Sequence, residues 1–289
     1  MCDNIPDITE HLDASIDWYL DSKTKFGKNK NTTFQGPLEE SNWLIPGTLL
    51  LGAYPSPPSF TPEEANGFMK KLLDCGIDIF VCLNAEYGTN IDHYAYATDD
   101  PDDPFLFGAK GMKALSTEKN KRIEFILLKI IDMNVTGESE VKELCEHLKK
   151  QICEGKKIYI HCTGGHGRTG TIASILLSLL YPTLTAEKIL EYLQFTHDQR
   201  VSNYNKIMYI DQLDEPIDSG LKKKFQPGQV PTPQTSAQRK QVKKIIIDLK
   251  EEMEGKSILG GRKMRKNTKK RKARQRKAIQ RKARQSKRR

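Results

Sequence analysis

The sequence lacks any apolar segment that is long enough to cross a membrane. Its longest apolar stretch runs from Ile172 to Tyr181, about half of the roughly 20 residues that a bilayer requires. The six cysteines include no C-x-x-C pair, so reduced thiols are expected rather than a disulfide framework. The first residues also lack the basic-then-apolar order of a signal peptide. These absences predict an intracellular protein with no membrane span.

Acidic residues are absent from the end of the chain. Residues 255–289 carry 18 lysines and arginines and no aspartate or glutamate, whereas residues 1–254 hold 29 basic and all 37 acidic residues, a net charge of −8. The basic tail repeats a five-residue unit at Arg271–Gln275, Arg276–Gln280 and Arg281–Gln285. It has no apolar face and strong self-repulsion, so it is predicted to be disordered. A mildly acidic domain thus precedes a strongly basic tail.

The basic tail requires its own functional interpretation. Its charge predicts binding to a polyanion such as RNA or DNA through release of counterions, without base stacking because no aromatic residues are interleaved. Recognition by an import receptor, especially through Lys269–Lys277, is equally compatible. Nuclear localisation is therefore favoured over cytoplasmic. A solubilising tail without a partner is the remaining alternative.

Five consecutive regions are predicted. They are an N-terminal extension (1–40), a globular domain (41–225), a proline-containing linker (226–236), an amphipathic helix (237–254) and the basic disordered tail (255–289). The helix carries an apolar stripe at Val242, Ile245, Ile246, Leu249 and Met253. This stripe is predicted to pack on the domain, with a partner-binding helix as the alternative.

Strands and helices alternate within the globular domain. The strands are predicted at Thr48–Leu51, Ile77–Leu83, Ile123–Ile131 and Lys157–His161, and the helices at Thr61–Leu73, Glu138–Glu154, Thr169–Tyr181 and Thr185–Phe195. A long irregular stretch, Asn84–Asn120, separates the second and third strands. The alternation predicts an α/β fold with a central, mostly parallel, twisted sheet flanked by helices.

A glycine-rich loop connects the strand Lys157–His161 to the next helix. Its glycines let successive N–H groups turn inward, and the helix N-terminus adds a further positive end, which together form an anion cradle. Arg168 offers a planar fork that matches two phosphate oxygens. Cys162 is predicted to be a nucleophile that attacks phosphorus and forms a phosphocysteine; the alternative is a buried structural cysteine at a tight turn. The predicted phosphate-binding loop is Thr163, Gly164, Gly165, His166, Gly167 and Arg168.

The stretch His161–Gly170 resembles the signature of the protein tyrosine and dual-specificity phosphatase superfamily, His-Cys-x-x-Gly-x-x-Arg-Ser/Thr-Gly. The similarity extends across roughly Trp43–Leu213, and Trp43–Gly47 looks like the entry to the small dual-specificity members. Lys129–Met133 looks like their general-acid segment, with Asp132 placed 30 residues before Cys162. The resemblance implies a tyrosine-phosphatase-like fold and a protein phosphatase that needs no cofactor. Two features depart from the pattern, since no proline precedes Asp132 and no counterpart of a water-positioning glutamine is found.

Residues around the nucleophile are expected to supply the proton donor and to stabilise the departing thiolate. Expelling an alkoxide or phenoxide requires a proton donor, and Asp132 is favoured over Asp92 and the run Asp99–Asp103. A turn-forming aspartate is the alternative at this position. The resemblance implies that Thr169 stabilises the departing thiolate, a role compatible with satisfying backbone donors in the first helical turn.

The two histidines of the loop receive different predictions. His161 is expected to orient the loop rather than to transfer protons. His166 either adds positive charge beside a bound phosphoryl group when protonated or, as the favoured alternative, points to solvent when neutral. No second cluster of ligands accompanies these histidines, so a metal site is not predicted.

Three functions remain open on the sequence. The leading one is hydrolysis of phosphate monoesters in proteins, on phosphotyrosine and also on phosphoserine or phosphothreonine. The absence of lysines from the variable loop positions favours a phosphoprotein over a phosphoinositide. An RNA 5′-phosphatase or triphosphatase of the same superfamily is the second candidate, and a catalytically inactive phosphate-binding adaptor is the third.

Overall fold

The computed structural model describes residues 5–8, 10–12, 31–55, 62–85, 120, 122–201 and 230–253. The predictions for Asp92, Asp99–Asp103, most of the N-terminal extension and the basic tail lie outside these ranges. The chain divides into two compact units, Met1–Ile245 and Ile246–Arg289. The sheet, the helices that flank it and the candidate site belong to the first unit.

A five-stranded sheet forms the centre of the first unit. Its strands lie in the order β1-β2-β5-β3-β4, and only β1 runs antiparallel to its neighbour. This arrangement confirms the predicted mostly parallel sheet. The strands are β1 (Ser41–Ile45), β2 (Leu49–Ala53), β3 (Ile79–Asn84), β4 (Glu124–Ile130) and β5 (Ile158–Cys162).

Helices cover both faces of the sheet. They are α1 (Pro62–Asp74), α2 (Glu138–Cys153), α3 (Gly167–Leu180) and α4 (Ala186–Asp198). A further helix, α5 (236–253), continues past Ile245, where the first unit ends. On one face, Met69 and Leu72 of α1 belong to the same buried apolar cluster as Tyr159 of β5. On the other, α3 packs against β5 and lies between α2 and α4. Among the described residues, no helix has the length and apolar character needed to cross a bilayer.

Two helix boundaries differ from the sequence prediction. Helix α3 begins at Gly167 instead of Thr169, and α4 continues to Asp198 instead of ending at Phe195. The polar residues Thr196, His197 and Asp198, which lie beyond the predicted end of this helix, are all buried. Helix α4 can extend through these residues because they find hydrogen-bond partners. His197 Nε2 lies 2.7 Å from His166 Nδ1 of the loop, and Thr196 Oγ1 donates to the Leu193 carbonyl of its own helix.

Residues 230–235, which the sequence analysis places in the predicted linker 226–236, include buried side chains. Val230, Thr232 and Gln234 are buried, because Gln194 of α4 donates to the Val230 carbonyl (3.0 Å) and accepts from the Thr232 amide (2.8 Å). In α5, Val242 and Ile245 of the predicted apolar stripe are fully buried. The structure therefore uses this proline-containing stretch as part of the core rather than as a spacer.

The cysteines differ in part from the expectation of reduced thiols. Cys75, Cys82, Cys145 and Cys162 carry free thiols. Cys153, at the end of α2, is disulfide-bonded, which the spacing of the cysteines did not indicate. The candidate nucleophile is thus among the free thiols.

Candidate active site

The nucleophile candidate lies where the central strand meets the glycine loop. Cys162 is the last residue of β5 and pairs in register with Ala53 of β2. Helix α3 starts only five residues later, at Gly167. The loop therefore lies at the carboxyl edge of a parallel sheet and before a helix N-terminus, where ligands of open α/β sheets bind.

A glycine is required at position 165 of the loop. Gly165 has φ +73°, and a Cβ atom there would lie 2.3 Å from the backbone oxygen of Gly52. Any side chain would meet both an unfavourable backbone conformation and the neighbouring strand. The loop can therefore turn tightly against β2 only because this residue has no side chain.

Arg168 links the loop to the segment that carries the candidate acid. Its Nη1 donates to the carbonyl of Ile130 (3.0 Å), and its Nη2 donates to Thr163 Oγ1 (3.0 Å). The same Nη2 lies 2.9 Å from Asp132 Oδ1, and the Arg168 side chain is only 1% exposed. Three partners thus fix the position of the guanidinium between the loop and the segment that follows β4.

Asp132 lies just beyond the end of β4, and its side chain contacts Arg168 of the phosphate-binding loop. Its side chain is 62% exposed, although it pairs with Arg168. Its Oδ1 also accepts a hydrogen bond from the Met133 amide (3.0 Å), and Met133 adopts φ 62°. Asp132 therefore forms a turn and faces the phosphate-binding loop at once, so the two interpretations of this residue are compatible.

Thr163 is held in place from both sides. Its Oγ1 accepts from Asn84 Nδ2 of β3 (2.7 Å), and its carbonyl accepts from the Tyr54 amide (3.1 Å). Thr169 differs, since its Oγ1 is buried and has no hydrogen-bond partner among the described residues. Its hydroxyl is therefore available to a group that arrives or develops in the site.

His161 is buried against the aromatic side of the sheet. Its ring stacks on Tyr159, with 5.4 Å between centroids. Burial lowers the pKa of His161 to about 3, so the ring is neutral at physiological pH. A neutral, fully packed imidazole is consistent with an orienting role and not with proton transfer.

His166 does not point to solvent, which corrects the favoured alternative. Its ring is buried, and its Nδ1 lies 2.7 Å from Nε2 of His197 in α4. Burial, together with the charge of Arg200, holds the pKa of His166 well below its ordinary value. The protonated alternative is therefore also not realised at neutral pH. The reason lies in α4, whose polar C-terminal end packs beneath the loop.

Arg200 is a site residue that the sequence did not reveal. Its Nη1 donates to the carbonyl of Gly164 (3.1 Å), its Nη2 to the carbonyl of Gly165 (2.9 Å) and its Nε to Asn42 Oδ1 (2.8 Å). Burial lowers the pKa of Arg200 to about 10, which still leaves the guanidinium charged. The signal in the sequence was the run of polar residues Thr196–Arg200, directly after an apolar helix face.

These contacts fix the direction of the loop's backbone dipoles. The C=O and N–H groups of a trans peptide point to opposite sides. Arg200 binds the carbonyls of Gly164 and Gly165, and Thr232 Oγ1 donates to that of His166 (2.9 Å). The following N–H groups, at residues 165–167, therefore point away from Arg200 and Thr232. Successive N–H groups on one side of a loop form a nest for an anion.

The predicted residues thus come together in one place. Asp132 is bonded to Arg168, and His161 directly precedes the loop in β5. The continuous loop and first helical turn consist of Cys162, Thr163, Gly164, Gly165, His166, Gly167, Arg168 and Thr169. Within the described part of the chain, no group of three His, Cys, Asp or Glu residues is placed to hold a metal ion.

The parallel sheet, the strand–loop–helix with its cysteine and arginine, and the facing aspartate define a tyrosine-phosphatase-like domain. Residues 39–212 match the family PTP-SAK, described as "Swiss Army Knife protein, DSP-PTPase phosphatase domain". This match covers more than half of the chain, so the chain belongs to that family and is a phosphatase of the dual-specificity and tyrosine phosphatase superfamily. The expected family resemblance is thereby confirmed.

The individual proteins that resemble this chain match it over a short segment or at low sequence identity. The chain is 40% identical over 59 residues to "Putative tyrosine phosphatase 197R" of Invertebrate iridescent virus 6, a match that spans 20% of this chain and 22% of that protein. The crystal structure of Tk-PTP in the active form is 16% identical, with a TM-score of 0.44, and the match covers 72% of this chain and 96% of that one. Kinase associated phosphatase, with its catalytic-site cysteine replaced by serine, is 21% identical, with a TM-score of 0.38 and coverage of 57% and 80%.

Proposed function

We propose that the protein hydrolyses phosphate monoesters in proteins through a phosphocysteine on Cys162. Phosphotyrosine is the leading substrate, with phosphoserine and phosphothreonine beside it. The observation that carries the proposal is the double attachment of Arg168, whose Nη2 binds both Thr163 of the loop and Asp132. This attachment brings an anion-binding fork and a candidate proton donor to the same loop as a free thiol.

The first step forms the covalent intermediate. The Cys162 thiolate bonds to phosphorus while the bond between phosphorus and the leaving oxygen breaks. Arg168 and the N–H groups of residues 165–167 stabilise the charge that develops on the phosphoryl oxygens. These groups are already oriented before the reaction. Protonated Asp132 gives its proton to the leaving oxygen, which departs as an alcohol or a phenol.

The second step releases phosphate. Asp132, now a carboxylate, takes a proton from water as the water oxygen bonds to phosphorus, and the sulfur–phosphorus bond breaks. Cys162 leaves as a thiolate, and the buried hydroxyl of Thr169 donates to it. The absence of another partner for Thr169 Oγ1 among the described residues supports this role. Aspartate and thiolate then return to their starting protonation states.

The tail is proposed to select where the phosphatase acts. Its 18 positive charges without an acidic residue support a polyanionic partner, RNA or DNA, or an import receptor, and with it a nuclear location. The same charge favours a second candidate function, hydrolysis of a 5′-phosphate on RNA. An inactive adaptor is less favoured because Cys162, Arg168 and Asp132 are all present and adjacent to one loop.

One comparison tests the proposal. Wild type and Cys162→Ser are assayed on an aryl phosphate, a phosphopeptide panel and 5′-triphosphorylated RNA. We expect phosphate release from the first two by wild type only, and a 32P-labelled protein adduct that forms with wild type and is lost in the variant. Equal activity of the two proteins removes Cys162 as the nucleophile. Release from RNA but not from phosphopeptides replaces the leading substrate class with the second one.

A further inference from the structure

We propose that Gln238 is a positioning residue for the candidate general acid, because the face of α5 that carries it holds the acid segment 131–138 beside the phosphate-binding loop. The proposal rests on the proposed role of Asp132. It gives a function to a part of the chain that follows the signature by about 70 residues and that the sequence assigned to a linker and a packing helix.

Three side chains on one face of α5 contact alternate residues of the acid segment. Gln238 Nε2 donates to the carbonyl of Asn134 (3.0 Å), and Gln241 Nε2 donates to the carbonyl of Thr136 (2.5 Å). Lys244 Nζ lies 2.5 Å from Glu138 Oε2. Residues three apart share a face of a helix, so the three side chains extend from the same face of α5. Two of the three contacts are made to backbone carbonyls of the segment, and the third is made to the first residue of α2.

Apart from the pair between Asp132 and Arg168, the acid segment has little apolar packing to fix it. Ile131 is 67% exposed and Val135 40% exposed, and Asp132 and Asn134 are exposed as well. Within the segment, the Asn134 amide donates to the Ile131 carbonyl (3.1 Å), which closes a turn but does not anchor it to the domain. A segment with few buried side chains opens readily. The bonds from α5 hold its backbone where apolar packing does not.

Gln238 connects the acid segment to the start of α3. Its side chain is fully buried. Its Oε1 accepts from the Thr235 backbone amide (3.0 Å), and the backbone amide of Gln238 donates to Thr235 Oγ1 (3.2 Å). This is a capping box, which fixes the glutamine rotamer. A Cβ on Gly167, the first residue of α3, would lie 2.8 Å from Gln238 Oε1. Gln238 thus lies between the helix that carries Arg168 and the segment that carries Asp132.

Loss of this contact should affect the proton donor and leave the nucleophile intact. A general acid matters most when the leaving group is a poor one, such as an alkyl alcohol, and least for an acidic phenol. A misplaced Asp132 therefore lowers kcat on alkyl phosphates, while KM and the turnover of activated aryl phosphates change little.

The variant that tests this contact most specifically is Gln238→Glu in the full-length protein. Glutamate keeps an acceptor for the Thr235 amide, so the helix start is preserved, but it has no donor for the Asn134 carbonyl. Ala237→Glu is the matched control, because it adds the same charge one residue earlier at an exposed position. We expect the ratio of alkyl to aryl turnover to fall about tenfold in Gln238→Glu and by less than twofold in the control, with the ratio falling further in Asp132→Ala.

The double variant Asp132→Ala/Gln238→Glu distinguishes the outcomes. A ratio no lower than that of Asp132→Ala supports the proposal, since Gln238 then acts through Asp132. A wild-type ratio in folded Gln238→Glu overturns the positioning role but leaves the proposed function intact, whereas a wild-type ratio in Asp132→Ala removes the proposed acid and this inference with it. If Gln238→Glu does not fold, Gln238→Met removes the donor to the Asn134 carbonyl at similar volume and without an added charge. An unchanged ratio in that variant also overturns the proposal.

Discussion

Nη2 of Arg200 donates to the backbone oxygen of Gly165 across 2.9 Å, although 35 residues separate them. The same guanidinium binds the carbonyl of Gly164. This pairing reverses the usual role of an arginine near a phosphate site, since Arg200 binds the loop rather than the anion. The orientation of the loop's N–H groups depends on it.

Replacing Arg200 should damage both stability and turnover. Arg200→Met leaves the carbonyls of Gly164 and Gly165 without their donor, at a cost of about 3 kcal/mol in the free energy of unfolding. We expect kcat/KM on an aryl phosphate to fall about 100-fold. Arg200→Lys should rescue little, because one amine does not reproduce a fork. Urea unfolding and steady-state kinetics measure the two effects.

The exposed residue Arg122 supplies the control for this experiment. Arg122→Met removes the same charge and should change the free energy of unfolding by less than about 0.5 kcal/mol. Wild-type kcat/KM in Arg200→Met would show that the loop keeps its shape without the bracing arginine.

Two glycines with the same backbone conformation allow a matched test of the loop. Gly165 and Gly47 have φ +73° and +70°, but a Cβ at Gly165 would meet the Gly52 backbone at 2.3 Å, whereas nothing lies within 4 Å at Gly47. Gly47→Ala should cost about 1–2 kcal/mol from conformation alone. Gly165→Ala should cost about 1–3 kcal/mol more from the clash and should abolish phosphate release. Equal costs in denaturant unfolding would refute the close approach of loop and strand.

The buried His161 predicts a defined pH dependence of stability. Its pKa is about 3 in the folded protein and about 6.5 in the unfolded chain, so the unfolded state binds the extra proton between these values. Stability is therefore full above about pH 6.5 and is lost as the pH falls towards 3, by about 1.4 kcal/mol per pH unit from this group.

Denaturant unfolding of wild type and His161→Gln between pH 6.5 and 4.5 measures this contribution. Carboxylates titrate in both proteins, so the difference between the two slopes isolates the histidine. We expect the wild-type slope to be steeper by about 1.4 kcal/mol per pH unit. Parallel slopes would mean that the ring is not buried as a neutral imidazole.

The basic tail predicts separable binding and catalysis. Deletion of residues 255–289 removes 18 positive charges, so affinity for a duplex or single-stranded nucleic acid should fall sharply and lose its salt dependence. Turnover of a small aryl phosphate should stay within twofold of wild type. Fluorescence anisotropy between about 50 and 200 mM salt measures the first effect. Unchanged binding after the deletion would assign the polyanion contact to the domain.

The local part of the site was predictable from the sequence. An apolar strand, glycines at loop positions and an apolar helix follow one another directly, so β5, the loop and α3 were expected together with Cys162 and Arg168. Asp132 was placed by its distance from Cys162 in related sequences. The mostly parallel sheet followed from the alternation of strands and helices.

The residues that support the loop were not predictable from the sequence, because they are polar and their partners lie far away along the chain. Thr196–Arg200 has the composition of an exposed helix end, yet the loop above it buries all five residues. His166 looked solvent-facing for the same reason, since its partner His197 lies 31 residues away. The stretch 230–235 has the prolines of a spacer, and only its bonds to Gln194 and His166 reveal it as part of the core.

A ribosome makes the parts of this site in a fixed order. The nucleophile and Arg168 are synthesised well before Thr232, which binds the His166 carbonyl, and before Gln238, which binds the acid segment. A nascent chain that has emerged only as far as residue 201 carries the signature but lacks these two contacts. Full activity on substrates with poor leaving groups should therefore appear only after the start of α5 has left the exit tunnel.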